Sequence, residues 1–178
     1  MTVTIDGTAG ITTAGGITYP TAQTYSGNIA AATAVATTSG TSIDFTGIPS
    51  WVRRITVMLN AVSTNGTSNL QLQIGSGAIS TSGYNSTAVS GAGAINATSG
   101  FLLTYSITAA STQSGFAMLV TLGSNIWVEQ SNLAFNNASV GNTSAGNFSL
   151  SGTLDRVRLT TINGTDAFDA GSVNILYE

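Results

Sequence analysis

Residues 47–76, GIPSWVRRITVMLNAVSTNGTSNLQLQIGS, carry two alternating apolar runs around a turn-rich middle. In the first arm Ile55, Val57 and Leu59 share one face while Arg54, Thr56, Met58 and Asn60 share the other, the period of two expected of a strand with one side against a core. The second arm sets Leu70, Leu72 and Ile74 against Gln71 and Gln73. Between them, residues 63–69 are Ser, Thr, Asn and Gly, which accept positive φ or bond their own backbone, so the chain can reverse there. The pattern predicts one large β-hairpin with Gln71 and Gln73 facing out. A hairpin is not stable alone in water, so more strands and a second layer are required.

Working outward, the alternation continues. FLLTYSI (101–107) puts Phe101, Leu103, Tyr105 and Ile107 inside, FAMLVTL (116–122) alternates around Phe116, Met118, Val120 and Leu122, and IWVEQ (126–130) follows a Gly-Ser-Asn turn. NFSLSGTL (147–154), DRVRLTTI (155–162) and SVNILYE (172–178) close the chain, the last two joined by the turn-rich NGTDAFDAG (163–171). Residues 29–45 read as two strands around a Ser39-Gly40 turn, with a short helix over 29–36 as the other reading. Residues 75–100 read as long loops with one short strand, and 136–147 as a second polar loop; both are candidate contact surfaces. Roughly eight to ten strands in about 140 residues predict an all-β fold: an antiparallel two-sheet sandwich, jelly-roll-like, over residues 41–178. Residues 1–40 are expected to be an extended N-terminal segment, either disordered or ordered by packing on a partner or on copies of itself.

Composition narrows the chemistry. Of 178 residues only 6% are charged, against roughly a quarter in ordinary domains. There is no Lys, and Arg53, Arg54, Arg156 and Arg158 are the only bases, so no basic track for nucleic acid exists. The lack of His and Cys removes the common nucleophile–base pairs and the usual zinc and copper ligands. The longest apolar run, residues 115–123, falls far short of the roughly 20 residues that span a bilayer, and the N-terminus lacks the pattern of a secretory signal. The expectation is a soluble chain without membrane insertion or disulfides, made in a cytosol. The seven Asn-X-Ser/Thr sites then follow from a composition rich in Asn, Ser and Thr rather than from glycosylation. A weakly charged β-rich surface needs its edges covered, and oligomerisation is the usual cover.

Two stretches, GIPSWVRRITVMLNAVSTNGTSNLQLQIGSG and TLDRVRLTTINGTDAFDAGSVNILYE, resemble a C-terminal module of tailed-bacteriophage tail-fibre and related virion appendage proteins; the opening MTVTIDGTAGITTAGG is similar to the starts of such fibres. The resemblance implies a structural, homotrimeric virion component and is uninformative about host or receptor. On that basis the chain is expected in the virion, attached to other virion proteins through residues 1–40, with its distal loops meeting host surface glycan. The resemblance brings no catalytic motif and no cofactor. The chain is short and has no repetitive shaft, so a capsid decoration or head-fibre protein without a receptor role is the alternative.

Individual residues are weighed against structural roles. Asp166 and Asp169, with Asn163 nearby, could offer oxygens to a calcium ion or act as paired carboxylates for glycan hydrolysis; turn capping is the expected role, and neither a metal site nor a catalytic site is assigned. Arg53-Arg54 and Asp155-Arg156-x-Arg158 are expected to form a structural network in which Asp155 or Asp44 pairs with Arg. Among the large aromatics that could stack on sugars, Trp51 and Tyr105 are expected to pack in the core. The receptor-contact candidates are Tyr84, Asn85 and Trp127.

Overall fold

The computed structural model describes residues 4–6, 10–12, 29–109 and 111–178. Thr4–Asp6 (β1) and Gly10–Thr12 (β2) pair with each other in a two-stranded ribbon. From there the chain runs through Ala30–Ala31 (β3), Val35–Ala36 (β4), Ser42–Thr46 (β5), Arg54–Thr64 (β6), Leu70–Ser76 (β7), Ala78–Ile79 (β8), Asn85–Ser90 (β9) and Gly93–Ala97 (β10). Phe101–Leu102 (β11), Gln113–Gly123 (β12), Ile126–Phe135 (β13), Gly141–Ser149 (β14), Arg156–Thr161 (β15) and Phe168–Tyr177 (β16) complete it. A nine-stranded sheet has the order β10-β9-β14-β13-β12-β6-β16-β3, with β4 also on β16; a five-stranded sheet has the order β11-β7-β15-β5, with β8 on β7. All pairings are antiparallel, and the two sheets enclose one apolar core. The expected all-β sandwich is the fold. The segment expected to be extended, 1–40, lies largely outside the described residues; its described end already belongs to the sandwich, which begins at Ala30 through pairing with β16.

The large hairpin is not formed. Its two arms are β6 and β7, and they lie in different sheets: β6 pairs with β12 and β16, β7 with β15 and β11. Ile55, Val57 and Leu59 on β6 and Leu70, Leu72 and Ile74 on β7 are all buried in the same core cluster. Alternation fixes which face of a strand is apolar but not which strand lies beside it. Here the two apolar faces meet across the sandwich instead of sharing one side of a single sheet. The chain arches over at 65–69, next to a second arch at 162–167 between β15 and β16. The arches hold each other: Asn65 N–H donates to Ala167 O at 2.9 Å, Ala167 N–H to Asn65 Oδ1 at 2.9 Å, and Asn163 N–H to Ser68 Oγ at 3.0 Å.

Gln71 and Gln73, expected outside, are buried, because the chain entering β11 covers the outer side of β7. Their amides bond there: Gln71 Nε2 donates to Thr161 O, Gln73 Nε2 to Ser99 O, and Ser99 Oγ to Gln71 Oε1, at 3.2, 2.8 and 2.8 Å. Residues 29–45 form strands that enter different sheets, and no helix forms over 29–36. The "loop" 75–100 is mostly strand, with β9 and β10 a true hairpin at the sheet edge. Its inward residues Ser86 and Ala88 are too small to give an apolar period. The polar stretch 136–147 likewise runs into β14, whose inward residues are Asn142 and Ser144. In 101–107 only Phe101 and Leu102 are strand. In β12 the alternation is real but the face is inverted: Ala117 and Leu119 are buried, whereas Phe116 is 53% and Leu122 71% exposed.

Packing is close at Gly146 on β14, where a Cβ would lie 2.7 Å from Asn85 O on the neighbouring strand and 2.9 Å from Phe101 Cδ1 of the facing layer. Two of these neighbours are backbone or a core ring, so they have little room to yield. Gly146→Ala is expected to destabilise the fold by about 1–3 kcal/mol, read as a lowered urea midpoint with unchanged slope.

Candidate functional site

The face of the nine-stranded sheet turned away from the core is the most unusual surface of the molecule. Register places Met58, Phe116, Asn132, Thr143 and Val89 directly opposite one another on successive strands. Beside them runs Thr56, Met118, Gln130, Ala145 and Thr87, then Arg54, Val120, Val128, Asn147 and Asn85. A groove of about 680 Å³ on this face is lined by Thr87, Val89, Met118, Val120, Val128 and Ala145 among others. Among the described residues, Arg54 is the only charged side chain on these rows, and it closes one of them by pairing with Glu178.

The charges gather elsewhere. On the outer side of the five-stranded sheet Arg158 donates through Nε and Nη2 to the two carboxylate oxygens of Asp44 at 2.6 and 2.7 Å, and Arg156 does the same to Asp155 at 2.7 and 3.2 Å. Hydrogen bonds from the Arg156 guanidinium hold the Asp155 carboxyl below its ordinary value, and those to Asp44 raise the Arg158 guanidinium. Asp44 and Asp155 thus each pair with an Arg as expected, whereas Arg53 donates to the Ser50 and Val52 carbonyls. Beside it is a polar cleft of about 300 Å³ with Gln71, Gln73, Ser99 and Thr160 in its walls; their amides and hydroxyls already bond to each other and to backbone.

The receptor-contact candidates separate. Tyr84 is 2% exposed, stacked on Phe148 with centroids 4.0 Å apart and edge-on to Phe101 at 4.9 Å. Its hydroxyl accepts from Ile74 N–H at 2.7 Å and shares its proton between the Ile74 and Ser80 carbonyls, and burial pushes its pKa up to about 12. Tyr84 is thus a core residue that ties β7 to the 80–84 turn. Trp127 is also buried, on the inner face of β13; its neighbour Val128 takes the outward position. Only Asn85 is exposed, at the rim of the uncharged face. Of the aromatics expected in the core, Trp51 is half-exposed against Tyr177 and Tyr105 half-buried. The sequence signal that could have found the outward face was the same alternation in 116–122, read with the opposite phase.

Asp166 caps the arches as expected, whereas Asp169 lies in β16 and bonds across to β6. Asp166 Oδ2 accepts from Ser68 N–H at 2.9 Å and Oδ1 from Asn163 Nδ2 at 2.6 Å; Asp169 Oδ1 accepts from Ser63 Oγ at 2.6 Å. Among the described residues no group of three or more His, Cys, Asp or Glu side chains is placed to hold a metal ion.

Glu129 has no role in the sequence reading. It alternates with Trp127 and Ser131 on the inner face of β13 and is 3% exposed. Ser144 Oγ lies 3.1 and 3.2 Å from its two oxygens, and Ser131 Oγ is 2.6 Å from Ser144 Oγ. Desolvation raises its pKa from about 4.5 to about 8, against the opposing pull of the two serines. It sits between Trp127 and Ser131 with no base beside it among the described residues, so it is sealed rather than poised for proton transfer to a ligand.

Comparison with protein-family models, with curated proteins and with solved structures finds no match for this chain.

Two outcomes follow from this electrostatic layout. Between the ordinary carboxylate range and about pH 8 the folded chain keeps the Glu129 proton that the unfolded chain gives up, so stability falls as pH rises across that window. At about 1.4 kcal/mol per pKa unit the loss is several kcal/mol, and with no His in the chain no imidazole titration overlays it. Glu129→Gln should flatten the pH dependence of the melting temperature between pH 5 and 8; an unchanged slope would refute the assignment. By contrast Asp44→Asn, at a partly exposed pair, should cost less than about 1 kcal/mol, and less still in high salt.

Proposed function

We propose that the chain is a non-enzymatic structural protein of a bacteriophage virion, a tail-fibre-like appendage knob that assembles as a homotrimer. Residues 1–40 attach it to other virion proteins, and its exposed surface meets the host, through weak contacts to surface glycan multiplied by trimer avidity. One observation carries this reading. The two stretches that resemble virion appendage modules, residues 47–77 and 153–178, supply β6, β7, β15 and β16, and they pair with each other in both sheets, β6 with β16 and β7 with β15. The resemblance thus falls on one contiguous structural unit rather than on two unrelated strands.

The chemistry of the acids supports a structural role. Asp166 holds the arches, Asp169 bonds across to β6, Asp44 and Asp155 are bound by Arg, and Glu129 is enclosed. A glycosidase needs two carboxyls about 5–10 Å apart across an open cleft, and these acids are committed to other partners. The second reading is a capsid decoration or head-fibre protein without a receptor role.

The two readings place the protein differently on the particle. Antibody labelling and cryo-electron microscopy of particles from the phage encoding this chain should find it at a tail or baseplate tip. Density over the capsid lattice or at its vertices would replace the appendage reading by decoration, and purified particles that lack the chain would end both.

A further inference from the structure

We propose that the outer face of the nine-stranded sheet is the surface through which copies of this chain pack on one another; this rests on the self-association in the reading above and names the face that carries it. Three observations lead to it. The first is composition. Met58, Phe116 and Val89, each 37–53% exposed, lie in one row with Asn132 and Thr143. A face that mixes Met, Phe, Val, Thr and Asn with its charges depleted is the composition of an interface centre, not of an ordinary solvent face.

The second is electrostatic. The chain carries a net charge of −3, yet the acids and bases of the sandwich lie at its ends, in its interior and on the five-stranded sheet. The charged surfaces hold Arg and Asp that already pair within the chain, whereas the outer face of the nine-stranded sheet, neutral between the rows of Met58 and Thr56, can be turned toward the same face of neighbouring copies around a three-fold axis with no charge to bury. The third is size. The seven strands from β16 to β10, about 4.8 Å apart, and roughly seven residues along each at about 3.4 Å per residue, give a face on the order of 700 Å². A stable interface takes about 800 Å² per partner, close to the extent of this face.

The same face would reject an anionic partner only weakly and attract none, since it offers no guanidinium beyond the paired Arg54. A second copy, which matches it in neutrality and extent, is therefore the occupant.

Sedimentation velocity of the full chain at micromolar concentration tests this, with variants that place a carboxylate on the face. Phe116→Asp and Thr143→Glu sit at exposed positions, so each monomer tolerates the charge, and a melting curve verifies it. Thr46→Glu is the control: it adds the same charge on the opposite side of the sandwich, where Arg156 is its cross-strand neighbour. The expected result is a trimer for the wild type and for Thr46→Glu, and single chains for both face variants with melting temperatures like that of the dissociated wild type. If the face variants keep the wild-type mass, the face is wrong while self-association stands. If the wild type itself sediments as a single chain, both the face and the homotrimer fall, and the virion assignment is then decided separately by particle labelling.

Discussion

Everything in this sandwich depends on one arrangement: two chain segments far apart in sequence cross together from one sheet to the other. β6 passes into β7 and β15 into β16, and the partners stay paired on both sides of the crossing. The arches at 65–69 and 162–167 are the only places where this paired unit turns through the core's edge. Backbone groups there cannot use a sheet ladder, so the polar side chains Asn65, Ser68, Asn163 and Asp166 take them up. Gly66 is required for the same reason: a Cβ there would overlap the Asp166 carboxylate. The remaining strands extend the large sheet from β6 through β12, β13, β14 and β9 to β10, and the small sheet from β15 to β5.

The unequal width of the two sheets explains the polar interior on one side. The small sheet faces the middle of the large one, and the outlying strands β14 and β9 are covered instead by the chain around 99–109. Beyond its short ladder with β7, that chain bonds to inward polar side chains: Leu102 N–H donates to Ser86 Oγ at 2.9 Å, and Tyr105 N–H to Asn142 Oδ1 at 2.8 Å. Glu129, Ser131 and Ser144 belong to the same region. A buried neutral carboxyl with serine partners tolerates this place; a buried carboxylate does not.

Charge segregation connects the fold to the proposed role. A chain with so few charges puts its Arg–Asp pairs on the small sheet and at the ends of strands, and leaves a broad neutral face on the large one. Such a surface suits a protein that works among copies and neighbours in an ordered particle rather than alone in solution, where uncovered sheet faces and edges favour aggregation.

The sequence by itself determined the all-β class, the position of most strands and much of the core: Ile55, Val57, Leu59, Leu70, Leu72 and Ile74 were legible because a period of two with large apolar residues has only one strand-like reading. It also pointed to Asp44 and Asp155 as partners for Arg, while the fold decided that Arg158 takes Asp44, Arg156 takes Asp155 and Arg54 takes Glu178. Tertiary structure alone decided which strands are neighbours, because alternation carries no information about pairing; hence the predicted hairpin became an arch, and Gln71 and Gln73 were buried by a segment some thirty residues away. It also decided phase where both faces of a strand are apolar or both are small: β12 shows Phe116 outward and Ala117 inward, β9 and β14 were hidden among Ser, Thr and Ala, and Tyr84 and Trp127 went to the core. The candidate surface was therefore invisible in the chain, since its residues come from alternate positions on strands that only the fold brings side by side.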